Sequence, residues 1–515
     1  MLKCRVENGI NFQAPRVMQH TRAGNAQHFV RRHFWLPALA VLFVFYVWGI
    51  GANPPGFFLD ESSIAYNAYL IAQTGADEHG VRFPLYFRAF GEYKNPAYVY
   101  LLVLVYKIFP PGILLARLLS AALGFAAALL IGRLAYRVSK HRGIGVLVGL
   151  AAMFVPWLFE ISRLVFEVAL FPLALALFLL WLYRAQLKER WSLADAVRLA
   201  LALALITYTY SIGRLLAPLL AFGFVLFVTR RNLSGVVRAW ALYALTLLPL
   251  FLFTRRHPGA LTARFHDLSY IKPESAITET IYNFINQYIN NWSLRSLLLV
   301  GDLNARHHVS GAGGSLLVAV FVLSVIGIAI ALCSHRHEAW WRFNFYGLLA
   351  SIVPTALTID NFHTLRSIAF PVFLLLFNIP AFLWLTGSGA RVSLRRTILF
   401  LLLTCALLQG AWFMWRFHAG GTKRTTDFEA GYAEIFTAAL ATGHRPVYLI
   451  DRSPLLGYIH GYWYGVLHGV DRSQFIRLPD GVRAPAGSLV IGSQEPCPDC
   501  TVIGRTFLYN AFISQ

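Results

Sequence analysis

The sequence predicts an α-helical polytopic membrane protein of about eleven transmembrane helices, closed by a small C-terminal α/β domain. Three observations carry the prediction. First, 57% of the 515 residues are hydrophobic and only 13% are charged, about half the charged share of an ordinary soluble domain. Second, apolar runs able to cross roughly 30 Å of hydrocarbon as helices recur at 34–51, 113–135, 143–159, 164–183, 197–213, 214–229, 235–254, 314–333, 342–359, 367–386 and 396–415. Third, the Lys and Arg residues behind the net charge of +21 sit in short gaps between these runs. They form no stripe of the kind that binds nucleic acid.

Residues 1–33 are polar and basic, with Lys3, Arg5, Arg16 and Arg22 and no cleavage-site pattern, and read as a cytoplasmic tail. With that end inside, the inner gaps are "YRVSKHR", "RAQLKERWSLADAVR", "TRRNLSGVVR", "SHRHEAWWR" and "SGARVSLRR". Every one is basic, as the positive-inside rule requires. The run "NPAYVYLLVLVYKIF" (95–109) opens with Pro96, ends before Pro110 and Pro111, and is too short to span. Laid on the surface as an interfacial helix, it makes 52–112 one long outer loop. A second outer loop, 255–313, mixes polar and apolar residues and reads as short surface helices. Residues 34–415 thus form the membrane module. Residues 416–515 form an outer α/β domain, with "YAEIFTAALATG" as helix and "RPVYLID" and "GSLVIGS" as buried strands. Its "CPDC" places Cys497 and Cys500 on the oxidising side, where a disulfide is expected. No phosphate-binding glycine loop is present, and His307–His308 have no metal-ligand spacing around them. No cofactor is called for, no metal ligands are assigned, and dependence on a divalent metal stays open.

The first outer loop holds the chemistry. In "FFLDESSIAYNAYLIAQTGADEHGVRFPLYFRAFGEYKNP", Asp60, Glu61, Asp77, Glu78 and Glu92 gather directly after the first span. Acidic residues are common in outer loops, yet a carboxylate held at the lipid–water boundary is also a general base for chemistry there. Asp60 and Glu61 are the catalytic candidates. Asp77 is second in line as base and, with Glu78, joins the substrate-binding candidates. Lys94 either meets a lipid phosphate or snorkels as a helix anchor. Arg163 and Glu167 stand at i and i+4, which predicts one shared helix face and an ion pair. Glu167 would sit about one turn inside the membrane, where an ionisable residue is a functional candidate by default; a structural pair explains it equally. Arg214, His363 and Arg366 add outer-edge cations suited to an anionic phosphate.

These residues resemble bacterial glycosyltransferases of the GT-C superfamily, in the group of protein O-mannosyltransferases and the lipid A aminoarabinose transferase. The resemblance covers roughly residues 34–386. It runs through Asp60–Glu61, "YNAYLIAQTGADEHGVRFPLYF", the "KNP" step where that family often has Lys-Pro-Pro, "ARLLSAALG", "PWLFEISRLVFE" and "HTLRSIAFP". It implies a sugar donor on polyprenyl phosphate, an acceptor in the bacterial cell envelope, and inversion at the anomeric carbon. It also implies Asp60 as base, Glu61 as its support, and Lys94 with outer arginines on the leaving phosphate. The alternative is a lipid or lipid-linked-sugar flippase. Such transporters bind near the midplane in broken helices of repeated halves, and no repeat is visible here.

Overall fold

The computed structural model describes residues 35–388, 391–453 and 455–515; the basic tail 1–33 lies outside the described residues. Helices occupy every apolar run named above. Ile113–Ser139, Glu167–Gln186, Leu233–Arg256, Ala369–Thr386 and Val392–Gly421 are long and apolar enough to span a membrane. The others are shorter or broken, and proline sets several of the breaks. The run 143–159 becomes Arg142–Phe154 and Pro156–Ile161 because Val155 is extended (φ −62, ψ 123). A residue before proline is pushed out of the α region in this way.

Small residues bring the membrane helices together. Gly145 and Gly149 lie four apart on Arg142–Phe154 and face Gly132 of Ile113–Ser139, the small-xxx-small arrangement that lets backbones approach in lipid. A Cβ at Gly132 would stand 2.7 Å from the Gly145 carbonyl oxygen.

The first long loop is structured throughout. Leu59–Thr74 is a helix, Phe87–Ala89 (β1) and Glu92–Lys94 (β2) form an antiparallel hairpin, and Pro96–Tyr106 is a second helix. Phe90 and Gly91 connect the strands with φ of 53° and 79°, the doubly positive pair of a two-residue type I′ turn. Successive side chains on a strand alternate faces, so Glu92 and Lys94 share one. The Pro96–Tyr106 helix is less peripheral than its length and tyrosines predict. Tyr98, Val99, Leu102, Val103 and Tyr106 are buried, in a core shared with Leu59–Thr74 and the C-terminal domain.

That domain is a mixed sheet in the order β4-β3-β5-β7-β6, formed by Val447–Ile450 (β3), Phe475–Leu478 (β4), Leu489–Gly492 (β5), Thr501–Arg505 (β6) and Asn510–Ile513 (β7). Strands β4 and β5 run parallel to β3, and β7 returns antiparallel. Helices Gly431–Ala441 and Tyr458–Leu467 cover it, and Cys497 is bonded to Cys500. The Tyr458–Leu467 helix packs on Leu59–Thr74, with the Tyr462 ring 5.4 Å from Tyr66 and Trp463 5.9 Å from Phe57. The loop and the domain therefore share one core.

The glycine contacts predict an asymmetric outcome. Gly149→Ala meets its nearest neighbour at an ordinary 3.4 Å and should leave thermal unfolding in detergent nearly unchanged. Gly132→Val forces two helices apart and should lower the midpoint by several degrees, since overpacking costs about 1–3 kcal/mol. Equal midpoints would show that these helices do not depend on this contact.

Candidate functional site

The site starts from the first turn of the Leu59–Thr74 helix. Glu61 is fully buried, and its carboxylate accepts from three directions. Oε2 takes the Phe58 N–H at 2.9 Å, Oε1 takes the Val165 N–H at 2.9 Å, and the Arg117 guanidinium approaches Oε2 at 3.3 Å. Arg117 in turn donates to the carbonyls of Pro54 (2.6 Å) and Gly56 (2.7 Å). Glu61 thus ties the helix start to Ile113–Ser139 and to the segment ahead of Glu167–Leu170, and its full burial keeps it away from solvent. Its geometry matches a support for the loop.

Asp60 points elsewhere. Its side chain is 32% exposed, and Oδ1 lies 2.9 Å from Lys94 Nζ, which also donates to Glu92 Oε1 at 2.5 Å. Burial by itself lowers the Lys94 pKa, but the carboxylates of Asp60, Glu92 and Glu167 outweigh it and hold the ammonium's pKa above its ordinary value. Lys94 therefore stays charged at any physiological pH. Glu92 is reached on its other oxygen by Arg264 Nε at 3.4 Å, from the second long loop.

Glu167 fixes the step after Lys94. It accepts the Asn95 backbone N–H, and Asn95 Nδ2 at 3.3 Å. A proline at this position has no N–H to give, so "KNP" in place of Lys-Pro-Pro is matched by a carboxylate that uses the extra donor. Arg163 does not pair with Glu167. The helix ends at Ser162 and a new 3₁₀ turn opens at Glu167, so the i,i+4 face does not exist. Arg163 is instead buried among aromatics, 3.8 Å over Phe159 and 5.3 Å over Phe417, donating to the Tyr46 carbonyl. It joins three helices and is fully buried.

Asp77 and Glu78 follow the far end of Leu59–Thr74, and the chain folds back so that Glu78 stands beside Asn67, about 10 Å along the axis from Asp60 at 1.5 Å per residue. Asp77 Oδ1 accepts the His79 and Val81 N–H groups at 2.9 Å and shapes the turn. Glu78 takes Asn67 Nδ2 at 3.0 Å and Tyr458 Oη at 3.3 Å. They dock the loop on the C-terminal domain. Arg214 donates to the Leu261 carbonyl at 3.1 Å beside the Tyr86 ring, and Glu92 and Glu167 act on it electrostatically. Arg366 is paired with Asp360 and bonded to Thr358 Oγ1 at 3.0 Å. The Tyr210 ring is acted on electrostatically by Arg366, Glu167, Lys94 and Glu92.

His363 joins a cluster that spacing did not reveal. Ligand atoms of Asp302, His307 and His363 all lie within 4.8 Å of one another. Among the described residues this is where a divalent cation would find three ligands. Asp302 Oδ2 already accepts from Thr364 N–H (2.9 Å), Thr364 Oγ1 (2.7 Å) and His307 Nδ1 (3.1 Å), so the cluster also stands as a hydrogen-bonded brace. Three residues near Asp60 and Lys94 escaped the sequence reading. Glu92 was visible in the acidic loop, but Arg264, Arg306 (4.1 Å over the Phe58 ring) and Tyr210 come from elsewhere in the chain. Only loop closure brings them in.

Asp60 and Glu61 should separate in a stability measurement. Removing one partner of a buried ion pair costs about 3–5 kcal/mol, whereas an exposed pair is worth about 0–1. Glu61→Ala should sharply lower the unfolding midpoint in detergent, and Asp60→Ala should barely move it. A Glu61→Ala midpoint that moves no more than a small Asp60→Ala change would remove Glu61 from its structural role.

No family model matches this chain, and no curated protein matches it by sequence. Solved structures do. ArnT from Cupriavidus metallidurans bound to undecaprenyl phosphate aligns with a TM-score of 0.59 and 12% identity, covering 93% of this chain and 98% of that one. The apo state of that protein gives 0.57 and 14% over the same shares. At such identity the likeness is one of fold, and it spans both the membrane helices and the C-terminal sheet: the chain is a multi-pass helical membrane protein with the ArnT fold.

Proposed function

We propose that the protein is an inverting glycosyltransferase that moves a sugar from a polyprenyl-phosphate donor to a cell-envelope acceptor. The observation that carries this reading is the Lys94 ammonium shared by Asp60 at 2.9 Å and Glu92 at 2.5 Å. It stands where the first long loop meets the membrane helices, in a fold whose solved counterpart is bound to undecaprenyl phosphate. In this reading residues 34–415 are the membrane module, and the loops 52–112 and 255–313 with domain 416–515 face outward from the bacterial inner membrane. The basic inner gaps support that orientation.

The charges suggest an exchange. A polyprenyl-phosphate sugar is a phosphodiester with one negative charge, and its leaving group is a monoester that gains a second. A cation beside that phosphate is therefore worth more in the transition state than in the ground state. Lys94 turns from Asp60 to the phosphate, assisted by Arg214, Arg366, Arg264 or Arg306. Asp60, relieved of its partner, accepts the proton of the acceptor hydroxyl as that oxygen bonds to the anomeric carbon. The bond from the same carbon to the phosphate oxygen breaks on the opposite face, and configuration inverts. Glu61 takes no proton in this scheme.

A flippase moves its lipid unchanged, so release of free lipid phosphate separates the two readings. The purified protein should release undecaprenyl phosphate from one of a panel of undecaprenyl-phosphate pentoses and hexoses when given lipid A or envelope extract. Asp60→Asn should reduce turnover by at least about a hundredfold, the scale of general-base assistance. Lys94→Ala should cost roughly tenfold to a hundredfold, as for a lost charge-assisted hydrogen bond. No release from any donor would count against the enzyme, and normal turnover in Asp60→Asn would remove Asp60 from the reaction.

A further inference from the structure

On the Leu59–Thr74 helix, consecutive residues project about 100° apart. Asp60, Glu61 and Ser62 therefore point in three directions from one turn. Glu61 is bound to Arg117 of Ile113–Ser139 and to the Val165 backbone, and Asp60 faces Lys94. Ser62 points into the C-terminal domain, where its Oγ meets His460 Nδ1 at 2.8 Å. His460 Nε2 is 2.5 Å from Glu429 Oε2. Ser62 and His460 are fully buried, and Glu429 is nearly so. The bonding order follows from the partners. A carboxylate only accepts, so His460 Nε2–H donates to Glu429, and in the neutral ring Nδ1 accepts the Ser62 hydroxyl proton.

Two features of the backbone show that this chain of contacts is built in. Glu429 has φ of 53°, a left-handed conformation uncommon for a residue other than glycine and sustained only where the surroundings hold it. At the same level Gly56, three residues ahead of the helix, lies so close to the 428–430 segment that a Cβ there would fall 2.4 Å from the Phe428 carbonyl oxygen. The link from the last membrane helix to the sheet domain is thus pressed against the start of the base-bearing turn. Ser62 is fully buried, so the Ser–His–Glu order does not make it a nucleophile.

We infer that His460 and Glu429 are positioning residues for the transfer reaction, fixing through Ser62 the turn that carries Asp60. The C-terminal domain is then a working part of the site. This rests on the reading of Asp60 as base. Loss of the contact lets the turn shift while leaving Lys94 and the phosphate cations in place, and misplacement on the scale of 1 Å costs up to about a hundredfold in rate.

The test is a set of substitutions in the full-length protein, read by turnover and by binding of undecaprenyl phosphate. Ser62→Ala should lower turnover roughly tenfold to a hundredfold, with undecaprenyl phosphate affinity and donor KM unchanged. His460→Gln, which keeps a polar group near Nε2 and loses the one at Nδ1, should match it, and the double variant should be no slower than either single. His460→Asn, which retains a polar atom near Nδ1, should recover most of the loss. In an Asp60→Asn background, Ser62→Ala should add nothing. Near-normal turnover in Ser62→Ala, or losses that multiply in the double variant, would overturn the inference while Asp60→Asn stays inactive. An active Asp60→Asn would instead overturn the reading of the base, and this inference with it.

Discussion

Everything near the candidate base depends on one buried carboxylate. Glu61 has no contact with water, and an ionised carboxylate in that position is costly unless it is paired and hydrogen-bonded. Here it is met by Phe58 N–H, Val165 N–H and Arg117, and Arg117 reaches back to the carbonyls of Pro54 and Gly56. That network closes the loop onto the membrane helices and fixes the direction of the next residue back. Because successive residues on a helix diverge by about 100°, burying Glu61 turns Asp60 toward Lys94 and Ser62 toward His460.

The same division of labour explains why the acidic loop holds more carboxylates than one reaction needs. Glu61 anchors the helix start, Asp77 shapes the turn after the helix, and Glu78 docks the loop on Tyr458. Glu167 receives the Asn95 N–H that a proline would lack. Asp60 and Glu92 remain, both on Lys94 and both partly open to solvent. They differ in their second contact, since Glu92 is also approached by Arg264. Asp60 is thus the carboxylate that loses its partner when Lys94 turns to another anion.

Much of this was legible in the sequence, because composition and local spacing decide it. The apolar runs became helices, and the C-terminal strands lie where "RPVYLID" and "GSLVIGS" placed them. What was not legible depended on the chain's path. An i,i+4 pairing of Arg163 and Glu167 presumes an unbroken helix, and the chain breaks between them. The isolated position of Arg163 in an apolar run gave no sign that Phe159 and Phe417 would enclose it. Asp302 is separated from His363 by the helices Val318–Ser334, Ala339–Ala350 and Val353–Ala356, so no motif links them. The Ser62–His460 contact spans 398 positions and could come only from the fold.

The central claim is that Asp60 and a lipid phosphate compete for one ammonium. In the resting site Lys94 is held by Asp60 and Glu92, with its charged state favoured over the neutral one. Any phosphate that binds must draw it away, so Asp60 opposes binding while enabling chemistry. The direct measurement is the affinity of undecaprenyl phosphate, without acceptor, for the intact protein and for Asp60→Asn in the same detergent. The account predicts that Asp60→Asn binds at least as tightly as the intact protein, and more tightly at low salt, where charge competition is least screened. Clearly weaker binding to Asp60→Asn would contradict it, since Asp60 would then be holding the phosphate site together rather than competing with it.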